Sequence, residues 1–291
     1  MSDFLKNYNE KKEIVEKYIE SLFLRENFPQ ENLFEIMKYA VTNGGKRIRP
    51  VLMMASYGVF SENSEKVLPF CAAIELIHSY SLVHDDLPAM DNDSLRRGKP
   101  TCHVKFSHFG AILAGDALLN MAFEVMTENM TDFEKGIKAM KIIASASGAK
   151  GMCAGQMTDM EGSVTDFPAL CDMCSQKTGA LLEASVLSGA ALGGASEETF
   201  QKLKEYSKLL GLIFQIKDDI LDVTSTSDIM GKTVGSDEKN NKITFVSRYG
   251  LKKAIEITDK YKNKAVEILK SIDGDTVFLQ ELTKYMAERI N

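Results

Sequence analysis

Residues 199–222 read TFQKLKEYSKLLGLIFQIKDDILD, and this stretch decides the fold class. The large apolar side chains that recur in it close to every 3.6 residues are Leu203, Tyr206, Leu209, Leu210, Ile213, Phe214 and Ile220. This period is typical of an α-helix with one face in a core. The helix ends in three carboxylates, Asp218, Asp219 and Asp222. Carboxylates at a buried helix end are costly unless a cation compensates them.

Helical patterning continues along most of the chain. Further helices are predicted at about 9–26, 31–42, 48–60, 66–87, 107–130, 133–159, 167–192, 243–270 and 275–290. No alternation of period two indicates a strand. The sequence therefore predicts one all-α domain over residues 1–291. Within it, residues 224–241 are predicted to be a mobile loop, because they are charged and poor in large apolar side chains.

The composition is that of an ordinary globular protein, with 44% hydrophobic residues and a net charge of -6. An acidic chain with only local basic segments does not favour nucleic acid as a partner. No signal peptide is evident, and no uninterrupted apolar run approaches the roughly 18–20 residues that span a bilayer. A cytoplasmic protein with reduced cysteines is therefore expected. Cys171 and Cys174 form a lone C-x-x-C, which we interpret as two thiols on a helix, not as zinc ligands.

A first acidic cluster, Asp85-Asp86-Leu-Pro-Ala-Met-Asp91, ends another apolar helical run. Asp85 and Asp91 are six residues apart and would lie on nearly opposed faces of an ideal helix. Pro88 cannot donate to the carbonyl of His84, so the helix must end or bulge there. That break can return Asp91 to the side of Asp85. A solvated helix end is a poor alternative, because carboxylates oppose the macrodipole at a helix C-terminus.

Together the two clusters predict a site for hard divalent cations. Asp218 and Asp222 are about 40° apart on one helix face, and Asp219 lies about 100° round from Asp218. Mg²⁺ binds through one or two carboxylates and takes other ligands from water and substrate phosphate. The basic residues that suit the phosphate are Lys46, Arg47 and Arg49 in segment 44–50, and Arg96 and Arg97 in segment 95–98. A metal-dependent diphosphate site is the chemistry that these residues predict.

Five ordered motifs resemble those of the trans-prenyl diphosphate synthases. They are GGKRIRP at 44–50, the first cluster within 77–98, Gly155-Gln156-x-x-Asp159, Lys177-Thr178-Gly179, and Phe214-Gln215-x-x-Asp218-Asp219-x-x-Asp222. The similarity covers about residues 10–290, and the spacing within the first cluster resembles the bacterial type of farnesyl diphosphate synthase. The resemblance implies a single-domain isoprenoid synthase bundle, with the clusters on facing helices over a deep central apolar cavity. It also implies a homodimer.

The resemblance implies a prenyltransferase that joins isopentenyl diphosphate to dimethylallyl or geranyl diphosphate and makes farnesyl diphosphate. Two or three Mg²⁺ ions, shared with the substrate, would be held by Asp85, Asp91 and Asp218, with Asp86, Asp219 and Asp222 in support. The catalytic set would be Asp85, Asp86, Asp91, Lys177, Thr178, Gln215 and Asp218. The departing diphosphate would take the final proton, so no side-chain base is required.

The resemblance also divides the basic residues between two substrates. It assigns isopentenyl diphosphate to Lys46, Arg49, His78 and Arg97. It assigns the allylic diphosphate to Arg96, Lys177, Thr178, Gln215 and Lys232. Lysine and arginine suit both roles, because they donate charge-assisted hydrogen bonds to phosphate oxygens. Spacing alone would make His78 a core histidine.

Product length is predicted from Tyr80 and Ser81, just before the first cluster. In the family, a bulky aromatic residue five positions before the first aspartate forms the floor of the cavity and stops growth of the product chain. Tyr80 holds this position and favours a farnesyl product, with Ser81 one turn below Asp85. If Tyr80 is only a core residue, geranyl or geranylgeranyl diphosphate remains the alternative.

The sequence departs from the family after the second cluster, where Ser236 replaces a lysine that many relatives have. Lys232 is present, and Lys242 is a candidate for the second family lysine. Because one cation is lost at Ser236, weaker closure of this loop over the substrates is predicted. Two rival functions are a terpene cyclase and a non-catalytic partner subunit. A cyclase needs one diphosphate pocket, whereas the basic residues here form two sets. A non-catalytic subunit would have broken aspartate clusters, and both are intact.

Overall fold

The computed structural model describes residues 2–24, 29–224 and 243–289, and these are almost entirely helical. Helices α1 to α14 span Ser2–Leu22, Glu31–Thr42, Ile48–Gly58, Leu68–Asp85, Cys102–Lys105, His108–Glu128, Phe133–Ser147, Met152–Glu161, Phe167–Cys174, Ala180–Gly193, Glu197–Thr224, Phe245–Tyr249, Leu251–Lys270 and Val277–Glu288. A 3-10 turn, Ser64–Lys66, precedes α4, and a π-helical turn, Ser175–Gly179, joins α9 to α10. The predicted all-α helical fold is confirmed. The assignment of the whole chain to one domain stays a prediction.

Two central helices are surrounded by the others. α4 and α10 are buried on nearly every side. α4 packs against α3 and α6, and α10 packs against α3, α7 and α11. Gly189 allows α10 to approach α3 closely, since a Cβ there would come within 2.3 Å of the Met53 carbonyl oxygen. The small residues of α10 therefore allow it to pack closely as a central helix.

The helix predicted at 133–159 is in fact two helices, α7 and α8. The break falls at residues 148–151, where Gly151 turns the chain so tightly that a Cβ would lie 2.1 Å from the Ala146 carbonyl oxygen. A similar break at Gly250, with φ of 77°, separates α12 from α13. Both boundaries depend on glycine backbone geometry that helical periodicity does not reveal.

A short hairpin between α4 and α5 was not predicted. Strand β1, Leu95–Arg96, pairs antiparallel with β2, Lys99–Pro100. Arg97 and Gly98 between them have φ of 54° and 74°, the pair of positive angles that a type I′ turn requires. Strands of two residues are too short to give an alternating pattern, so the sequence carried no strand signal.

By length and composition alone, two helical segments could cross a membrane, Ser64–Asp85 and α6. The first is 72% buried inside the protein over its most apolar window, so we interpret it as a core helix. The most apolar window of α6 is only 50% buried. Its uncovered face carries Phe109, Ile112 and Leu113, which are one helical turn apart and exposed.

Candidate active site

The first acidic cluster lies in a tight turn at the end of α4. The helix ends at Asp85, three residues before Pro88. The backbone N–H of Asp91 donates to the Asp85 carbonyl oxygen at 2.9 Å, and that of Asn92 donates to the Leu87 carbonyl at 3.1 Å. The break in the helix therefore returns Asp91 to Asp85, as the proline predicted.

Asp85 is held by α8 from across the site. The amide of Gln156 donates to its Oδ1. Burial raises the pKa of Asp85 to about 6; the charge of Lys177 opposes this shift, and that of Asp91 adds to it. A bound cation would stabilise the ionised form of Asp85.

Asp86 and Arg96 form a pair beside the first cluster. Arg96 Nε and Nη2 both donate to Asp86 Oδ1, at 2.7 and 2.5 Å. Burial raises the pKa of Asp86, and the hydrogen bond from Arg96 opposes that shift. The hairpin thus places Arg96 at the first cluster, on the side that the resemblance assigns to the allylic substrate.

Lys177 lies in the π-helical turn and faces α8. Its Nζ donates to Asp159 Oδ2 at 2.6 Å. Burial lowers the pKa of Lys177, but the hydrogen bond to Asp159 and the charge of Asp85 outweigh it, so the net shift is upward. Gly155 sets the distance between α8 and the turn, because a Cβ there would come within 2.2 Å of the Lys177 backbone nitrogen. Lys177 is therefore a fixed cation close to the first cluster.

The second acidic cluster lies at the end of α11 and its three carboxylates have different partners. Asp218 Oδ1 accepts from Arg289 Nη2 at 2.5 Å. Asp219 accepts from the Gln215 amide at 2.9 Å and from the Phe245 backbone at 2.8 Å. The Oδ1 atom of Asp222 is buried without a hydrogen-bond partner. Asp219 thus ties α11 to α12, and Asp222 keeps one oxygen for a ligand.

A group of cations lies close to Asp218. Burial lowers the pKa of Lys46 and of Arg49, and the negative charge of Asp218 opposes both shifts. The pKa of His78 is held well below its usual value by burial and then by the positive charges of Arg49 and Arg97. Arg49, His78 and Arg97 are therefore electrostatic neighbours, and Lys46 shares the charge of Asp218 with Arg49. This concentration of positive charge suits an anion.

Arg47 was predicted to suit a phosphate together with Lys46 and Arg49, but its side chain is buried and paired with the Glu75 carboxylate. It takes a left-handed backbone with φ of 55° and is 4% exposed. Its Nη1 donates to Glu75 Oε1 at 2.6 Å and its Nη2 to the Val41 carbonyl at 2.7 Å. A buried arginine in a basic motif has no distinguishing sequence signal. Its role is to hold the loop that presents Lys46 and Arg49.

Arg289 was missed, because it lies outside every motif. α14 packs against α11 and ends just before it. The guanidinium stacks over the Phe214 ring at 4.2 Å and donates to Asp218. The sequence shows only an arginine near a helix end. Tertiary packing alone brings it to the second cluster.

The two residues predicted to control product length lie below the first cluster. Tyr80 is buried, and its hydroxyl lies 3.7 Å from Cys153 Sγ. The hydroxyl of Ser81 donates to the carbonyl of His78 within α4. Lys232, Ser236, Lys242 and the predicted loop beyond Thr224 lie outside the described residues, and their roles stay predictions.

The aspartates fit magnesium. Among residues 2–24, 29–224 and 243–289, no three acidic, imidazole or thiol side chains already form a metal-binding group. Mg²⁺ does not need such a group, because it takes one or two carboxylates and completes its shell with diphosphate oxygens and water. The partnerless Oδ1 of Asp222 and the raised pKa of Asp85 both favour a cation. Asp85, Asp91, Asp218 and Asp222 are the residues that would hold it.

Residues 30–284 match the family model described as "Polyprenyl synthetase". The chain is 42% identical to geranylgeranyl pyrophosphate synthase 4 of Arabidopsis thaliana, over 89% of this chain and 71% of that protein. It is 41% identical to the farnesyl diphosphate synthase of Geobacillus stearothermophilus, over 97% of this chain and 96% of that one.

A solved structure agrees with this match. The geranyltransferase from Helicobacter pylori, complexed with magnesium and isoprenyl diphosphate, superposes with a TM-score of 0.85 at 31% identity. The superposition covers 98% of this chain and 97% of the other. The resemblance of the five motifs is thereby confirmed. The chain belongs to the polyprenyl synthetase family and is a prenyltransferase.

Proposed function

We propose that the chain joins isopentenyl diphosphate to dimethylallyl diphosphate and then to geranyl diphosphate, with farnesyl diphosphate as its main product. One observation carries this proposal: cations border both acidic clusters. Lys46 and Arg49 lie near Asp218, Arg49 and Arg97 lie near His78, and Arg96 and Lys177 lie beside Asp85. Cations at both clusters are what two diphosphates require.

The reaction begins with ionisation of the allylic C–O bond. Asp85, Asp91, Asp218 and Asp222 would hold Mg²⁺, which would supply charge stabilisation to the departing diphosphate. Lys177 adds a fixed positive charge, because Asp159 holds its ammonium in place. The hydroxyl of Thr178 and the amide of Gln215 offer dipoles without a nucleophile, and Asp219 fixes the Gln215 amide. The alkene of isopentenyl diphosphate then attacks the allylic carbon. The departing diphosphate takes the proton.

The test is coupling by the purified chain alone. With Mg²⁺, labelled isopentenyl diphosphate and dimethylallyl diphosphate, we expect a labelled product of fifteen carbons by chromatography. Omitting isopentenyl diphosphate should abolish product formation. Product formed without it would support a cyclase. Absence of any product from the folded chain would support a non-catalytic subunit.

Tyr80→Ala is expected to lengthen the product. The substitution removes the ring that closes the space below Asp85, so chains of twenty carbons or more should replace those of fifteen. Chromatography of the dephosphorylated products measures the change. Tyr80→Phe is the matched control: it keeps the ring and should keep the fifteen-carbon product. Unchanged length in Tyr80→Ala would remove Tyr80 as the floor of the cavity.

A homodimer is also proposed, and the exposed face of α6 supports it. Phe109, Ile112 and Leu113 are between 45% and 72% exposed there. A cluster of large apolar side chains on a surface is typical of an interface between subunits. We infer that a second copy covers this face. The cytoplasmic location of the protein stays a prediction.

Phe109→Glu is expected to convert the dimer to monomer. The charge would be buried in the interface without a partner, whereas in the monomer it lies in the first turn of α6, where acidic residues are favoured. Light scattering after size exclusion measures the mass. Val277→Glu is the control, because Val277 is 63% exposed on α14, in the first turn of that helix. A monomeric wild type, or a dimeric Phe109→Glu variant, would contradict the assignment.

A further inference from the structure

α8 reaches across to α4 at two levels. At the upper level, Gln156 donates to Asp85 in the first acidic cluster. At the lower level, Cys153 Sγ lies 3.7 Å from the Tyr80 hydroxyl. Cys153 precedes Gln156 by three residues, so the two side chains share one face of α8. Cys153 therefore lies below the acidic cluster, against the residue predicted to close the cavity.

The position of Cys153 is fixed by close backbone packing. A Cβ at Gly151 would come within 2.1 Å of the Ala146 carbonyl oxygen, and one at Gly155 within 2.2 Å of the Lys177 nitrogen. The backbone at both ends of this segment therefore lies close against its neighbours. The thiol itself donates to the Ser147 carbonyl at 3.1 Å, which holds its rotamer.

Tyr80 is held equally firmly from its other side. Its ring meets His84 edge to face, with centroids 5.8 Å apart. His84 Nε2 lies 3.0 Å from the Ile112 carbonyl oxygen, and a Cβ at Gly115 would come within 2.1 Å of that nitrogen. His84 therefore packs between the Tyr80 ring and α6, and the hydroxyl end of the ring lies against Cys153.

We propose that Cys153 determines product length together with Tyr80, which rests on the prenyltransferase function proposed above. Tyr80 is 7% exposed, whereas Cys153 is exposed, so the open side of this pair lies at the thiol. The side chain at position 153 therefore sets how far a growing prenyl chain can pass the tyrosine ring. One methylene group in an apolar pocket changes discrimination about 10-fold or more.

Two substitutions test the proposal in opposite directions. Cys153→Ala enlarges the space beside Tyr80 and should raise the ratio of twenty-carbon to fifteen-carbon product about tenfold. Cys153→Phe fills the space and should lower the ratio of fifteen-carbon to ten-carbon product by at least as much. Cys171→Ala, on α9, is the matched control and should leave both ratios unchanged. Circular dichroism melts establish that each variant is folded.

A chemical change of the thiol avoids any change of sequence. Methyl methanethiosulfonate transfers its methylthio group to the Cys153 sulfur, an S–S bond forms and methanesulfinate leaves. Cys71, Cys102 and Cys174 are buried, and a Cys171→Ala background removes the half-buried thiol. We expect shorter products after treatment, restored length after reduction by dithiothreitol, and no response in Cys153→Ser.

The outcomes separate this role from the proposed function. Coupling by the wild type in the same assay reports on the function itself. If the folded variants and the methylthiolated protein still couple but their product lengths match the wild type, the role of Cys153 is overturned and the function stands. An equal response to the reagent in Cys153→Ser would also overturn it.

Discussion

Asp85→Asn is expected to reduce coupling about 100- to 1,000-fold and also to stabilise the metal-free fold. Coupling activity is lost because Asp85 is the carboxylate around which Gln156, Lys177 and Asp91 are arranged. Stability is gained because burial raises the pKa of Asp85 from 3.8 to about 6, so the ionised carboxylate is disfavoured in the folded state. The asparagine avoids that cost and still accepts from Gln156.

The pH dependence of the folding stability is set by how many protons the folded and unfolded states bind. Between pH 4 and 6 the folded state holds a proton on Asp85 that the unfolded state has lost, so wild-type stability falls as the pH rises. We expect Asp85→Asn to be about 1–2 kcal/mol more stable than wild type at pH 7.5, after discounting for solvent screening. At pH 4 the difference should vanish.

Urea unfolding in the presence of a chelator at the two pH values measures this difference. Asp172→Asn is the control, because Asp172 is exposed, and it should change stability at neither pH. Coupling by Asp85→Asn at more than a tenth of the wild-type rate would contradict the assigned role. Equal stability at pH 7.5 would contradict the cost of the buried charge.

Arg47→Met is expected to destabilise the protein by about 3–5 kcal/mol. Arg47 and Glu75 side chains are each 2% exposed, and the substitution leaves the Glu75 carboxylate buried without its cation. The double variant Arg47→Met/Glu75→Met removes both charges and should recover most of the stability. Urea unfolding measures both effects, and Arg248→Met, at an exposed arginine, is the control.

The double variant also separates folding from binding. Arg47 anchors the loop of Lys46 and Arg49 to the Val41 carbonyl, and methionine cannot replace that bond. We therefore expect the KM for isopentenyl diphosphate to rise about tenfold or more, with a smaller change in kcat. A double variant that is stable and has an unchanged KM would show that Arg47 serves the fold alone. A single variant within 1 kcal/mol of wild type would contradict the buried pair.

The sequence was most informative where a local rule applied. Pro88 correctly predicted that α4 ends and that Asp91 returns to Asp85. The apolar period of residues 199–222 correctly predicted α11. In both cases the deciding physics lies within a few residues: a missing N–H donor, or one apolar helix face.

What the sequence did not reveal depends on contacts between distant segments. Arg289 meets Asp218 across 71 residues, and Gln156 meets Asp85 across the same separation. The inward turn of Arg47 depends on Glu75, 28 residues away. Residue type and spacing do not encode such pairs, because burial decides whether an arginine points to solvent or into the core. The ligand roles of the aspartates stay predictions.

In the described molecule, three cations near the site already hold carboxylates: Arg96 holds Asp86, Lys177 holds Asp159, and Arg289 holds Asp218. A diphosphate arriving alone would compete with these carboxylates for its arginine and lysine donors. A divalent ion arriving alone would displace guanidinium from Asp218. A magnesium–diphosphate complex would give the carboxylates a metal ion and the arginine and lysine side chains a phosphate. No charged group would then be left without a partner. The two ligands should therefore bind with positive cooperativity, each raising the affinity of the other.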